Sequence, residues 1–144
     1  ANASNSFLIL NSNIKNINHI ILKYDGSEYS VKSIKTFSKL FPDTARKTRY
    51  SSMISPVSFR KNQVLLERRF VKKITPLFGE LGFIKLPLKT INDFVEYALR
   101  TKGNLIILPR TDLPNLIKYL RSENFKNSRN HPISFLRVFP RGLV

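Results

Sequence analysis

Residues 17–24 alternate, with Ile20, Leu22 and Tyr24 on one side and His19, Ile21 and Lys23 on the other. A period of two predicts a strand, well buried on one face and partly on the second. Asp25-Gly26-Ser27 reads as a turn that can also cap the next helix. Over residues 29–40 the period lengthens. Val31, Ile34, Phe37, Leu40 and Phe41 make one helical stripe and leave Lys32, Lys35 and Lys39 outward. Pro42-Asp43 predicts where that helix stops. Residues 46–54 and 63–75 both read as extended, on either side of a polar, Pro-containing turn. In the second arm Val64, Leu66, Phe70 and Ile74 share one parity with Arg68 and Lys72. Such an arm is apolar at its ends and charged in the middle, so it cannot lie wholly in a core.

Residues 77–87 predict a loop or small strand, with the apolar run Phe83-Ile84-Lys85-Leu86. Thr90 with Asp93 is a variant capping box. Ile91, Phe94, Val95, Ala98 and Leu99 follow at helical spacing, and Gly103 is placed to end that helix. Residues 104–108 predict a doubly covered strand. Asp112 opens a last short helix with Leu116, Ile117 and Leu120 inward. Beyond Glu123 the chain is basic and irregular.

Up to residue 108 this order is strand, helix, strand, strand, helix, strand. The expected class is α+β, a ferredoxin-like split βαβ sandwich with two helices on one face of an antiparallel sheet. A long basic β-hairpin, 46–75, protrudes from it. Residues 1–16 are expected to be a flexible N-terminal segment, 17–108 the folded domain, and 109–144 a basic helical or irregular C-terminal extension.

Charge sharpens the picture. The 144 residues hold 25 Lys and Arg against 9 Asp and Glu, a formal net charge of +16. Nine of those cations and one acid, Glu67, lie within residues 45–73. Like charges crowded in this way need an external counter-charge, which makes nucleic acid the first partner to consider and an anionic membrane the second. The membrane is disfavoured because the cations sit on segments read as extended, not on an amphipathic helix. Cysteine is absent, which excludes disulfides, thiolate metal sites and thiol catalysis. His19 and His131 are too few for a metal centre. Neither Gly-x-x-x-x-Gly-Lys-Ser/Thr nor Gly-x-Gly-x-x-Gly occurs, and the carboxylates are scattered. No enzyme, metal, cofactor or small-molecule substrate is expected.

Arg46-Lys47-Thr48-Arg49-Tyr50, Ile54-Ser55-Pro56, Arg60-Lys61, Glu67-Arg68-Arg69 and Lys72-Lys73-Ile74 stand in an order that resembles the hairpin of the NusE family, the tenth protein of the small ribosomal subunit. Ile20-Ile21-Leu22-Lys23-Tyr24-Asp25 is similar to that family's first strand. Thr90-Ile91-Asn92-Asp93-Phe94 and Gly103-Asn104-Leu105-Ile106-Ile107 are similar to its second helix and last strand. There are departures. Val57-Ser58 replaces the family's His-Val, the Gly-Pro-Ile/Leu-Pro stretch before the first arm is missing, 77–87 looks inserted, and 109–144 has no counterpart in the short bacterial form. The extension, with a composition of AT-rich codons, resembles a mitochondrial type.

The resemblance implies a structural protein of the small-subunit head, supporting translation on a mitochondrial ribosome, or otherwise on that of another organelle or of the cytoplasm. Its partners would be small-subunit ribosomal RNA and neighbouring head proteins. Arg46, Lys47, Arg49, Arg60, Lys61, Arg68, Arg69, Lys72 and Lys73 would neutralise phosphates. Tyr50 and Phe59, and with them Phe70, would be candidates to stack on bases. Arg121, Lys126, Arg129, Arg137 and Arg141, among Phe125, Phe135 and Phe139, suggest a tail that orders against RNA or a neighbour. The alternative is a non-ribosomal, regulatory protein binding RNA or single-stranded nucleic acid.

Overall fold

A computed structural model describes residues 5–10, 17–56, 61–101, 105–122 and 136–140, with the side chains of residues 5–10, 61 and 136–140 left aside. Among the described residues six strands form one sheet: β1 Asn5–Leu10, β2 His19–Lys23, β3 Tyr50–Pro56, β4 Leu81–Leu86, β5 Leu105–Pro109 and β6 Leu136–Pro140. The α-helices described beside them are α1 Glu28–Leu40, α2 Pro42–Lys47, α3 Lys61–Ile74, α4 Ile91–Arg100 and α5 Leu113–Leu120. The sheet order is β4-β3-β2-β5-β1-β6. Strands β4, β3, β2 and β5 are parallel neighbours. Strand β1 pairs antiparallel with both β5 and β6.

Parallel strands need long crossovers, and here each crossover carries helix. From β2 through β3 to β4 the chain advances in one direction, so α1, α2 and α3 fall on one face. From β4 it returns across the sheet to β5, which puts α4 on the opposite face, with α5 beside it. Side-chain packing follows this division. Ile20, Leu22 and Met53 meet Ile34, Phe37, Phe70 and Ile74 on the first face. Ile21, Ile54 and Ile106 meet Phe94, Val95, Ala98 and Leu116 on the second. Ile20, Ile21 and Leu22 are each 0% exposed, so β2 is buried on both sides. A fully buried side chain of this kind stabilises by about 1.5–3 kcal/mol.

Local signals explain the helix boundaries. The Ser27 hydroxyl accepts from Ser30 N at 3.1 Å and caps α1. Pro42 occupies the first turn of α2, where its missing N–H costs nothing. Thr90 and Asp93 complete the capping box that their spacing predicts for α4.

The ferredoxin-like expectation is wrong. The core of the sheet is parallel rather than antiparallel, and helices cover both faces rather than one. The protruding hairpin 46–75 is not formed either. That stretch holds the end of α2, strand β3 in the middle of the parallel set, and helix α3. Strand β3 pairs with β2 and β4, and its pairing with a second basic arm does not occur. Part of the segment expected to be flexible, Asn5–Leu10, is a strand, and part of the irregular tail, Leu136–Pro140, pairs beside it. Ile117, read as inward, is 39% exposed, while Leu116 carries the contact of α5 with the sheet. Gly103 and residues 57–60 and 123–135 lie outside the described residues.

Candidate functional site

The residues proposed for RNA contact do not form one arm. Arg46 and Lys47 end α2, and Arg46 makes an exposed 3.0 Å ion pair with Asp43. Arg49 lies over the ring of Tyr50, 5.2 Å from its centroid, at the entry to β3. Tyr50 is exposed and meets His19 edge-on. Arg68, Arg69, Lys72 and Lys73 are exposed on α3. Lys61 begins that helix. Phe59 and Arg60 lie outside the described residues. Phe70 is not a base stacker. It is buried in the core and stacks on Tyr24 at 5.3 Å between centroids.

A crevice forms elsewhere, at the carboxyl ends of the parallel strands. Successive connections leave β2 and β5 on opposite faces of the sheet, so their ends diverge at a topological switch point, where ligands bind in open α/β sheets. Lys23 ends β2. Its ammonium donates to Asp112 Oδ2 at 2.7 Å, just past β5, and lies 3.4 Å from Asp25 Oδ2. Asp25 Oδ1 accepts from Ser27 N at 2.9 Å and Ser27 Oγ at 2.6 Å. Gly26, at φ +83°, makes the turn that lets the chain bend back into α1. Burial raises the Asp25 carboxyl, but the Ser27 side-chain and backbone hydrogen bonds, the Lys23 charge and the Ser30 contact outweigh it, so the carboxyl is held below its ordinary range.

The remaining walls come from the second helical face. Leu88, Lys89, Thr90, Ile91, Asn92 and Phe94 bring in the start of α4, and Asn115, Lys118, Tyr119 and Ser122 bring in α5. Ile54 and Pro56 supply an apolar floor from β3. The volume is about 650 Å³. Tyr119 donates a hydrogen bond to Glu96, which ties α5 to α4. The interior ammonium of Lys23 is already compensated by two carboxylates. Lys89 and Lys118 stand exposed at the rim and form no ion pair among the described residues. The crevice thus combines an apolar floor, a fixed ion cluster and a cationic mouth. Among the described residues there is no group of three His, Asp or Glu side chains that could hold a metal ion.

In the sequence Asp25 reads as part of a turn, Thr90 and Asp112 as helix starts, and Lys23 as a strand residue. The available signal was their repetition. Asp25-Gly26-Ser27 follows one strand, and Arg110-Thr111-Asp112 follows another. Each joins a strand end directly to a helix start, which brings both connections to one edge of a parallel sheet.

No protein-family model and no curated protein matches the chain. Among solved structures it is similar to a protein from the universal stress protein family from Burkholderia pseudomallei. The identity is 12%, the TM-score 0.43, and the match covers 73% of this chain and 91% of that one. The resemblance to the tenth small-subunit ribosomal protein is corrected by the fold itself: the residues read as its hairpin are distributed over two helices and an internal parallel strand.

Proposed function

We propose that this chain is a ligand-binding α/β domain whose crevice takes a small phosphorylated compound of nucleotide type. The observation that carries the reading is the position of the crevice, at the carboxyl ends of β2 and β5 where the strand order reverses. Its volume of about 650 Å³ falls within the range of small-molecule sites. Ile54, Pro56, Leu88 and Phe94 offer an apolar surface for a planar ring. Lys89 and Lys118 favour an anionic end group. Asp112 and Asp25 are acceptors for hydroxyl groups between the two. The reading is of a binding role, because the Lys23–Asp112–Asp25 cluster pairs its own charges.

Isothermal titration of the purified chain with AMP, ADP, ATP and ribose 5-phosphate tests the reading. Saturable binding to at least one compound is expected, and Lys89→Glu with Lys118→Glu should weaken it about tenfold or more, the equivalent of ~1.4 kcal/mol. Absence of heat and of thermal stabilisation with all four compounds at millimolar concentration overturns it.

A further inference from the structure

Helices α1 and α3 lie on the same face of the sheet, and their cations meet at the seam. On α1, Lys32, Lys35 and Lys39 recur at helical spacing and are all exposed. On α3, Arg69, Lys72 and Lys73 are exposed in the same way. The two sets adjoin. Lys73 contacts Lys35, and that contact, with the like charge it brings, holds the Lys35 ammonium below its ordinary range although Lys35 is exposed. None of the six forms an ion pair among the described residues. The one carboxylate within α3, Glu67, is turned inward, where it pairs with Lys85 at 2.6 Å. On the opposite face the cations of α4 and α5 are interspersed with Asp93, Glu96 and Asp112. Among the described helices the excess positive charge is therefore segregated onto one layer.

Crowding of this kind opposes folding unless something anionic covers it. Both helices pack on one core cluster and Lys73 lies beside Lys35, so the seam gathers cations from two helices into one surface suited to a phosphate backbone. The apolar sides of both helices, through Ile34, Phe37, Phe70 and Ile74, are already spent on the core. Leu65 and Leu66 stay exposed one turn before Arg69, too small an apolar area to anchor a helix in a bilayer by itself. We propose that the α1–α3 seam binds the sugar-phosphate backbone of nucleic acid without reading its sequence. The surface is separate from the crevice and lies on the other side of the sheet.

Fluorescence anisotropy with a labelled 20-nucleotide RNA of mixed sequence tests this over a range of salt. Log affinity should fall linearly with log salt, with a slope of about −3 to −4 for some five phosphate contacts. The triple variant Lys35→Glu, Arg69→Glu, Lys73→Glu should bind about a hundredfold more weakly at the same salt and flatten the slope by about 2. A control of equal charge change, Arg100→Glu, Arg110→Glu, Arg121→Glu, should retain most of the affinity. Lys35→Gln with Lys73→Gln, which relieves repulsion without adding acids, should show a smaller loss in the same direction and a native circular dichroism spectrum. Equal losses in both triple variants would overturn the proposal, since net charge alone would then suffice. So would an unchanged slope, or binding to phosphatidylserine vesicles with none to RNA. Titration of the seam variant with the compounds used for the crevice separates the two proposals, because the crevice should be unaffected.

Discussion

Asp25 shows how a single side chain joins fold to site. Its carboxylate closes the turn after β2, accepts from Ser27 and approaches Lys23. The folded state holds this group below its ordinary range near pH 3.9, so its stabilising contribution is complete above that value and is lost as the pH falls through the folded value. Its side chain is 34% exposed, so solvent screens the Lys23 attraction and the hydrogen bonds supply the larger share. Asp25→Asn keeps an acceptor but removes the charge. Urea denaturation should find the variant about 0.5–1 kcal/mol less stable than the native chain at neutral pH, with the difference narrowing as the pH falls below the ordinary carboxylate range. A difference that grew on acidification would contradict this account. Glu67 carries the opposite lesson. In the sequence it stands as the lone counter-charge of a basic arm, yet it is 4% exposed and bonded to Lys85 from β4, a partner that no local pattern discloses.

At the scale of elements, α3 is the instructive failure. Val64, Leu66, Phe70 and Ile74 happen to share parity, and that coincidence mimics a strand. The true inward series is Val64, Glu67, Phe70, Val71 and Ile74, a helical series disguised by the acid in its centre. Leu, Arg, Lys, Gln and Glu dominate the segment, and all of them favour helix over strand. The helix read over 29–40 stands as α1, and the capping box of α4 forms, because those signals are local and uninterrupted. The joint between α2 and β4 depends on Gly79. Its N–H donates to Ala45 O at 3.2 Å, and a Cβ there would lie 2.5 Å from Arg46 O and 2.8 Å from Thr48 O. Both obstacles are backbone, so neither can swing aside. Gly79→Ala should destabilise by about 1–3 kcal/mol, whereas Gly82→Ala, with nothing within 4 Å of the added carbon, should change the melting temperature little. Equal effects of the two would show that close packing at residue 79 does not matter.

For the whole molecule, the net charge of +16 acts against compactness. Screening should relieve it. Raising sodium chloride from about 20 mM to 500 mM, which shortens the Debye length severalfold, should raise the melting temperature by several degrees, ~2–4 °C for each kcal/mol. A flat or falling curve would mean that the native ion pairs, such as Lys23–Asp112, outweigh the repulsion. The amount of charge, the missing cysteines, the strand through Ile20–Leu22 and the helices of residues 28–40 and 91–100 were decided by the chain locally, since periodicity, caps and composition act over a few residues. Tertiary structure alone decided that the strands run parallel, that residues 61–74 coil rather than extend, and that Lys23 meets Asp112 across 89 positions. Strand direction is set by which apolar faces the crossovers bury together, a property of long-range contacts that no short window of sequence contains.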